Sequence, residues 1–365
     1  MKVLFLTNIP SPYRVDFFNE LGKLCDLTVV FERFSSSERD ASWKNYKTEH
    51  FKPIMLKGLK RGVANAICLD VIKHLKKNVY DHIIVSNFTS VTGMLAISWM
   101  RMRRIPYWLE SDGGFAKNGV GFKEKLKKFF VKGAKGYFST AEEHDKYYLR
   151  YGAQSGRIHR YPFTSLYDRD ILDAPVSREQ KMCLRSKLGI TADKVIVAVG
   201  QMIHRKGFDV LIKAVAHLPS DIACYIIGGE PIGEYTELIE AHGLNNVHFV
   251  KFLKKSELEQ YFLAADVFVL PTREDIWGLV VNEAMAKGLP VVTTDRCIAG
   301  LELIHTSEAG EIVPVDDAVL LAKAIENVLN QWNSGAGNIV LERIRGYSLE
   351  KMAKRHMEVL SEETP

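Results

Sequence analysis

Short apolar runs alternate with amphipathic stretches along the whole chain. In the first half the runs are KVLFLT, DLTVVF, DHIIVS, IPYWLE and GYFST, with a helix predicted near Tyr13 to Lys23. In the second half they are KVIVAVG, ACYIIGG, NVHFVKF, DVFVLP, PVVTT and GEIVPV, again separated by helical segments. Strands that alternate with helices are typical of parallel sheets. The pattern therefore predicts an α/β protein with two sheets.

The alternation is interrupted once, by the stretch YPFTSLYDRDILDAPVSREQ. A chain of 365 residues is long for a single core, so we expect two domains, residues 1–170 and 171–346. The final predicted helix, SLEKMAKRHMEVLSEE, follows a sheet that is already complete. We therefore predict that residues 347–365 cross back onto the first domain.

Composition narrows the class of protein. A hydrophobic content of 47% and a charged content of 25% are typical of globular proteins and exclude disordered and collagen-like chains. The five cysteines include no CxxC pair, which argues against a disulfide framework or zinc ribbon and favours a reducing compartment. The apolar run in the opening MKVLFLTNIP is too short to form the hydrophobic core of a signal peptide. The apolar run VTGMLAISWM is shorter than the roughly 20 residues that span a bilayer, so no transmembrane segment is predicted.

The net charge of +5 hides an uneven distribution. Residues 1–170 contain 29 Lys and Arg against 17 Asp and Glu, a difference of +12, whereas the remainder contains 20 against 27, a difference of −7. Residues 98–135 alone contain ten basic residues and three acids. These basic residues are Arg101, Arg103, Arg104, Lys117, Lys123, Lys125, Lys127, Lys128, Lys132 and Lys135.

Within this basic segment, GFKEKLKKFFVKGAK interleaves lysines with apolar residues. Such a helix could lie on an anionic membrane surface with its apolar side inward, through Lys123, Lys127 and Lys128. The alternative is a solvated helix that covers its own sheet. No recognised nucleic-acid motif accompanies the segment, so no nucleic-acid partner is expected.

Two carboxylates stand out in REDIWGLVVNEAMAKGLPVV. We predict a strand over DVFVLP, a loop over TREDIW and a helix over GLVVNEAMAK that ends at Gly288 and Pro290. Asp275 then lies at the carboxyl end of a strand, where open α/β sheets bind ligands, and Glu283 lies about five residues into the helix. The helix amides near Gly278 favour an anion between them. The pattern indicates a binding site for a nucleotide sugar. The alternative is that Asp275 only supports the helix start while Glu283 is solvated.

A second constellation follows the strand KVIVAVG. The sequence QMIHRKGFDVLIKA places Arg205, Lys206 and Gly207 between a strand end and a helix start. Two cations in this position could clamp a diphosphate.

The segments VGQMIHRKGFDVLIKA, YIIGGEP, NVHFVKFL and AADVFVLPTREDIWGLVVNEAMAKGLPVVTT resemble the donor-binding domain of glycosyltransferase family 4, which comprises retaining enzymes of the GT-B fold. The resemblance covers most of residues 194–315; the first half is similar only in architecture and in NIPSPYRVDFF. It implies two Rossmann-like domains whose parallel sheets face each other across a cleft. The first domain would bind the acceptor and the second the nucleotide sugar.

The resemblance also implies roles for single residues. Glu283 would bind the ribose, Asp275 the hydroxyls of the transferred sugar, and Arg205 with Lys206 the diphosphate. The remaining donor-binding positions would be Gly200, Gly228, Phe252, Leu253, Ile276, Trp277, Gly278, Leu279 and Val280. The family usually has Glu in place of Asp275, so Glu274 is an alternative sugar ligand. The usual Gly-Arg is Gly200-Gln201 here, so Arg205 would supply the missing charge.

The first domain offers fewer candidates. The stretch IPYWLESDGGF has no His where the family often has one, and Asp112 is predicted near the acceptor hydroxyl or, alternatively, as a turn-forming Asp. Arg14 in NIPSPYRVDFF is predicted to face acceptor or donor phosphate; the alternative is a solvated Arg at a helix start.

We therefore expect a retaining, metal-independent glycosyltransferase without a cofactor. It would move a sugar from a UDP- or GDP-sugar to a lipid-linked or oligosaccharide acceptor, as in bacterial surface polysaccharide assembly. The expected location is cytoplasmic, peripheral at the inner face of the cytoplasmic membrane.

Four alternatives remain open. One is a metal-dependent transferase in which Asp168 and Asp170 hold manganese. Others are an epimerase or phosphorylase of the same fold and a non-catalytic binding module for nucleotide sugars. A nicotinamide-dependent dehydrogenase is disfavoured because the first strand leads into NIPSPYR rather than a GxGxxG loop.

Overall fold

The computed structural model describes residues 1–33, 47–61, 65–116, 119–331 and 334–363, so Lys117 of the basic segment lies outside the described residues. The chain divides into two compact units. The first contains the described residues of Met1–Tyr167 and Tyr347–Pro365, and the second contains those of Asp168–Gly346. The predicted boundaries were 170/171 and 346/347, and the unit boundaries are 167/168 and 346/347.

Among its described residues, the first unit has a seven-stranded parallel sheet with the order β3-β2-β1-β6-β7-β8-β9. A separate antiparallel hairpin pairs β4 with β5. The strands are β1 (Lys2–Thr7), β2 (Asp26–Phe31), β3 (Lys52–Met55), β4 (Leu59–Arg61), β5 (Asn65–Ile67), β6 (His82–Val85), β7 (Trp108–Glu110), β8 (Gly136–Ser139) and β9 (Ile158–Arg160).

In the second unit, the described residues form a six-stranded parallel sheet with the order β12-β11-β10-β13-β14-β15. Its strands are β10 (Lys194–Val199), β11 (Ile222–Ile227), β12 (Val247–Val250), β13 (Val267–Leu270), β14 (Val291–Thr294) and β15 (Gly310–Val313). In each sheet the strand order reverses at the first strand of the unit, β1 or β10. Such a reversal is the switch point at which open α/β sheets bind ligands.

The helices surround these sheets. They are α1 (Pro12–Gly22), α2 (Val91–Met102), α3 (Phe122–Lys132), α4 (Glu142–Arg150), α5 (Arg178–Leu188), α6 (Phe208–Val215), α7 (Gly233–Ala241), α8 (Lys255–Ala264), α9 (Leu279–Met285), α10 (Ile298–Leu303), α11 (Ala318–Gln331), α12 (Ser334–Ile344) and α13 (Leu349–Glu362). Helices on both faces bury the strands, which explains their near-continuous apolar sequences. In β1, for example, Val3 to Leu6 are fully buried.

The last helix, α13, belongs to the first unit. The Ser348 side chain accepts a hydrogen bond from the Lys351 amide and so caps the helix start (3.3 Å). One face of α13 is buried and packs against α1. The amide of Leu349 donates to the carbonyl of Leu166, which fastens the helix to the end of the first unit's main segment (2.7 Å).

The predicted fold class, two α/β units with parallel sheets, is confirmed. Every predicted strand is present, whereas β3, β9 and the β4–β5 hairpin were not predicted. β3 is an edge strand that is largely exposed and contains Pro53, and β9 has only three residues, so neither carries a clear apolar run. All five cysteines are free thiols. Within the described ranges, no helix combines the length and apolar content needed to cross a bilayer.

Candidate active site

The candidate donor site lies at the switch point of the second sheet. Strand β10 leads into the loop that carries Arg205 and Lys206, and its neighbour β13 leads into the loop that carries Asp275. Because parallel strands place their carboxyl ends at one edge of a sheet, these two loops meet there. The short 3-10 helix His204–Lys206 and the glycine after it turn the first loop into α6.

The structure brings three predicted residues together at this edge. The Nζ atom of Lys206 lies 2.6 Å from Oδ2 of Asp275, and an Nη atom of Arg205 lies 3.4 Å from Oδ1. The side chain of Arg205 is 45% exposed, whereas those of Lys206 and Asp275 are 13% and 12% exposed. The two cations therefore neutralise a nearly buried carboxylate, and one of them still faces solvent.

Arg273, which the sequence analysis missed, fixes the position of these loops. Its guanidinium binds both carboxylate oxygens of Asp209 on α6 (2.8 and 2.7 Å) and also Asp316 (2.7 Å). Burial by itself would raise the pKa of Asp209, but the hydrogen bonds and charge of Arg273 outweigh it and lower this pKa. The amide of Arg273 donates to the carbonyl of Arg205 (2.8 Å), so the loop after β13 is tied to the loop after β10. The only sequence signal was the position of Arg273, two residues before Asp275.

Two glycines permit the close packing of this edge. Gly207 has a φ of 69°, and a Cβ atom added there would lie 2.0 Å from the carbonyl oxygen of Pro271. Gly228 has a φ of 136°, and its added Cβ would lie 2.1 Å from the carbonyl oxygen of Gly200. Side chains do not fit at these positions, and the positive φ is also unfavourable for them. The stem of Lys206 lies over Gly200, where an added Cβ would touch it at 3.3 Å.

The other predicted donor-binding residues differ in exposure. Phe252 is 65% exposed just after β12, Ile276 is also exposed, and Leu253 and Glu283 are half-buried. The Trp277 side chain is buried in the core and its Nε1 donates to Oδ1 of Asn282 (2.7 Å). The indole therefore supports the loop from beneath, and only the backbone of Trp277 is available for a donor-binding role.

Helix α9 is shorter than predicted. The sequence indicated a helix over GLVVNEAMAK, and α9 spans Leu279–Met285 with Gly278 as its N-cap at a φ of 103°. Leu279 and Val280 form its first turn, where amide hydrogens lack intrahelical acceptors. Its carboxyl end turns through Gly288 at a φ of 74°, which agrees with the predicted stop.

In the first unit, Arg14 is buried rather than solvated, so the alternative of a solvated Arg at a helix start is wrong. Its Nη1 lies 2.5 Å from Oε1 of Glu110 at the end of β7, and its Nη2 binds Oδ1 of Asp112. Arg14 is 3% exposed and Glu110 is fully buried. Burial alone would raise the pKa of Glu110, but Arg14 lowers it to about 2. A sealed Arg14 is not positioned to bind a free phosphate directly.

Asp112 is the partly exposed end of this network. Its Oδ2 accepts a hydrogen bond from the Tyr13 hydroxyl (2.6 Å), and burial together with the charge of Asp112 raises the pKa of that tyrosine. The neighbouring Ser111 hydroxyl lies 2.8 Å from Nε2 of His144. Because Nδ1 of His144 accepts from the Thr140 amide, and burial lowers the pKa of His144 to about 3, this ring is neutral. Tyr13 and His144 were not predicted: Tyr13 lies in the quoted stretch NIPSPYRVDFF, where only Arg14 was singled out, and His144 lies in no recognisable motif.

The basic helix α3 is only partly as predicted. Lys123, Lys125 and Lys128 are exposed, and so are the side chains of Phe122 and Phe129. Phe130 and Val131, however, are buried in the core of the first unit, so the predicted apolar side is divided between that core and solvent. Lys127 is half-buried and contacts Glu124 and the Tyr151 hydroxyl.

No group of three or more His, Cys, Asp and Glu in the described part of the chain is arranged to hold a metal ion. The two aspartates of the manganese alternative lie in the 3-10 helix Asp168–Asp170. The Asp170 carboxylate binds Nζ of Lys255 (3.0 Å).

Comparison with known proteins finds similarity within the second unit. Residues 182–337 match the family model "Glycosyl transferases group 1". A D-inositol 3-phosphate glycosyltransferase from Xylanimonas cellulosilytica is 31% identical over 183 residues, 48% of this chain and 43% of that protein. The lipopolysaccharide core biosynthesis glycosyltransferase LpsE of Rhizobium meliloti is 35% identical over 147 residues, 40% of this chain and 42% of that protein. The chain thus spans less than half the length of these relatives.

A solved structure is similar over nearly the whole chain. Anabaena Alr3699/HepE in complex with UDP has a TM-score of 0.79 and 18% identity, with 99% of this chain and 100% of that chain covered. At this identity the likeness establishes the fold only. Residues 182–337 are therefore similar to the glycosyl transferases group 1 family, and the chain has the GT-B fold. The resemblance inferred from the sequence is confirmed.

Proposed function

We propose that the protein is a retaining, metal-independent glycosyltransferase that moves a sugar from a nucleoside diphosphate sugar to an acceptor hydroxyl. The observation that carries the proposal is the contact of Arg205 and Lys206 with Asp275 at the switch point of the group 1 domain. The names of the relatives and the UDP complex of the structurally similar Alr3699/HepE support it.

The arrangement of charges suggests how the donor is held. In the proposed complex, Arg205 and Lys206 turn toward the diphosphate, and Asp275 accepts hydrogen bonds from hydroxyls of the transferred sugar. The exposed ring of Phe252 stacks on the base, and Glu283 binds the ribose. The amides of Leu279 and Val280 add hydrogen bonds to a phosphate oxygen. A site with paired cations suits a diphosphate without a metal ion.

Catalysis then depends mainly on stabilising the leaving group. The bond between the anomeric carbon and the diphosphate oxygen breaks, and negative charge grows on that oxygen next to Lys206 and Arg205. The acceptor oxygen bonds to the anomeric carbon on the same face, and its proton passes to the departing phosphate. In the first unit, Asp112 lies at the carboxyl edge and orients the acceptor hydroxyl.

The first test is a panel of nucleotide sugars with UDP- and GDP-linked members. A donor at 100 times its dissociation constant should add about 2.7 kcal/mol to the free energy of unfolding, which thermal shift detects. Product analysis with and without acceptor then separates transfer from epimerisation and phosphorolysis. Unchanged melting curves across the panel would contradict the proposal, and binding without any product would identify a binding module. Loss of activity in EDTA would contradict the metal-independent mechanism.

We further propose that the acceptor is a lipid-linked glycan and that the first unit rests on an anionic membrane through α3. This location is the inner face of the cytoplasmic membrane. Exposed Lys123 and Lys128 lie on the same short helix as exposed Phe122 and Phe129, so charge and apolar surface are combined. Relatives named for lipopolysaccharide synthesis support a membrane-bound acceptor.

Vesicle binding tests this part of the proposal. The double variant Lys123→Glu with Lys128→Glu should bind vesicles containing phosphatidylglycerol about 30-fold more weakly, since each basic residue contributes about 1 kcal/mol. Lys76→Glu with Lys77→Glu is the matched control, because both residues are exposed and belong to the same unit. Equal binding by the two double variants would show that α3 is not the contact surface.

A further inference from the structure

An open cavity of about 1020 Å³ lies at the amino edge of the second sheet, opposite the edge that carries the donor loops. Lys194 begins β10, Asp266 precedes β13 and Leu289 lies two residues before β14, and all three line the cavity. Its other walls include α5, the loop between α5 and β10, and Leu329 on α11. Every lining residue belongs to the second unit, and the lining contains none of the predicted donor-binding residues. The cavity is therefore separate from the donor site.

The lining of this cavity is basic, although the second half of the chain is acidic. It contains five basic residues and two acids, a difference of +3, whereas residues 171–365 contain 20 basic residues and 27 acids. The basic residues are Arg178, Lys181, Arg185, Lys194 and Lys287, and the acids are Asp193 and Asp266. When Glu259, which pairs with Lys287 from outside the lining, is also counted, an excess of two positive charges remains. The cavity therefore favours an anionic ligand.

Two of these cations have no carboxylate partner among the described residues. The guanidinium of Arg178 is exposed and, within that part of the chain, forms no hydrogen bond or ion pair. Nζ of Lys194 donates to the amide oxygen of Asn330 (3.0 Å), a neutral group that leaves the charge uncompensated. Because a guanidinium can donate to two oxygens of one anion, Arg178 is well suited to bind a charged group together with Lys194.

The inner wall of the cavity is fixed by an ion-pair network. The Asp266 carboxylate accepts hydrogen bonds from Lys181 (3.2 Å), from Arg185 (2.5 Å) and from the amide of Val195 (2.8 Å). These contacts fasten α5 to the starts of β10 and β13. The wall is therefore formed before any ligand binds, so little conformational entropy is lost on binding.

The deeper lining of the cavity is apolar. Ile190, Leu289 and Leu329 contribute to it, and each is at most 8% exposed. Met182, about one turn from Arg178 on α5, also lines the cavity and is 60% exposed. Sites for small molecules typically combine an apolar lining with a few polar groups, in volumes of about 300–1000 Å³. The same combination here indicates a ligand with an apolar body as well as a charge.

We propose that the cavity at the amino edge of the second sheet binds an amphiphilic anion, a small molecule with a phosphate, sulfonate or carboxylate group on an apolar body. Arg178 and Lys194 bind the charged group, and the apolar body lies against Ile190 and Leu289. Inorganic phosphate or a neutral alcohol satisfies only one of these two requirements. The inference does not depend on the proposed function, because it needs neither a nucleotide sugar nor a transfer step.

A matched series of small molecules tests both requirements in the unchanged protein. The probe is 8-anilinonaphthalene-1-sulfonate, a sulfonate with an aromatic body whose fluorescence rises on binding. Hexyl phosphate should displace it at a roughly tenfold lower concentration than inorganic phosphate or 1-hexanol, because the chain and the charge both contribute. Equal displacement by inorganic phosphate would show that no apolar body is bound, and equal displacement by 1-hexanol would show that no anion is recognised. Either result, or a lack of saturable probe binding, would overturn the proposal.

Charge reversal locates the site. Arg178→Glu with Lys194→Glu should weaken binding of the probe by roughly tenfold or more, because charged hydrogen bonds are lost. Lys187→Glu with Lys323→Glu is the matched control, since both lysines are exposed residues of the second unit that do not line the cavity. This control makes the same change in net charge and should leave the affinity for the probe unchanged. Equal affinities in the two double variants, or a tenfold loss in the donor-site variant Lys206→Ala, would overturn the proposal.

Discussion

Each unit has an ion-pair cluster at the carboxyl edge of its parallel sheet, and the two clusters differ in access to solvent. In the second unit, Arg205 and Lys206 contact Asp275, and the Arg205 side chain is 45% exposed. In the first unit, Arg14 contacts Glu110 and Asp112, and the Arg14 and Glu110 side chains are 4% and 0% exposed. An exposed pair can exchange its partner for a phosphate, whereas a sealed pair holds neighbouring groups in place. The same residue types are therefore accessible to a ligand in one unit and buried in the other.

The largest effect on stability is expected at the sealed cluster. Arg14→Met leaves Glu110 buried without its main cation, so the free energy of unfolding should fall by about 3–5 kcal/mol. Lys23→Met, at the C-cap of the same helix, removes a partly exposed pair with Glu20 and should cost less than about 1 kcal/mol. Urea denaturation measures both values. Similar losses in the two variants would contradict the assignment of Arg14 as a buried structural cation.

The next effect concerns the exposed cluster, where activity should change more than stability. Lys206→Ala should lower kcat by about 10²-fold, as expected when a group that stabilises developing charge is removed. Lys323→Ala, an exposed lysine on α11, is the control and should leave kcat unchanged. Steady-state kinetics with the donor found in the panel would measure this. If Lys206→Ala retained full turnover, the two clusters would not differ in function as we describe.

Two glycines of the second unit allow two stability costs to be measured separately. One is the cost of a side chain in the left-handed conformation, and the other is the cost of disturbing the close packing at the donor edge. Gly189 and Gly207 have the same φ of 69°, but an added Cβ at Gly189 meets nothing within 4 Å. Gly189→Ala should cost about 1–2 kcal/mol from the left-handed conformation alone. Gly207→Ala should cost a further 1–3 kcal/mol, roughly, because it displaces Pro271. Only Gly207→Ala should weaken donor binding in a calorimetric titration, and equal effects would contradict the close approach.

A further difference concerns the acid sensitivity of the two units, and near neutral pH it has no effect on stability. The folded pKa of His144 is about 3, far below the ordinary histidine value, so the unfolded chain binds more protons between pH 6.5 and 3. Stability is thus complete above the unfolded pKa and declines as pH falls through this range. Glu110, with a folded pKa of about 2, extends the decline below pH 4.5. Hydrogen exchange at pH 7 and 5 should show protection lost first around α4 and β8, and earlier loss around β10 and β13 would contradict this.

Much of the second unit could be predicted from local sequence. The strands and the loops after β10 and β13 follow from apolar runs and turn residues, so Arg205, Lys206 and Asp275 were found as candidates. The buried state of Trp277 was not predicted, because an aromatic ring in a loop sequence can point either way. Arg273 and Asp209 were missed because their contact joins positions 64 residues apart in the chain.

The sequence by itself determined two parallel α/β units, the positions of most strands and the residue types at the donor loops. These features depend on neighbours within a few positions, through alternation along a strand and periodicity along a helix. Only the tertiary structure decided which charges pair and which are sealed from water. Lys206 meets Asp275 across 69 positions, and Arg14 meets Glu110 across 96. Such pairs are set by the strand order, which brings distant carboxyl ends to one edge of a sheet.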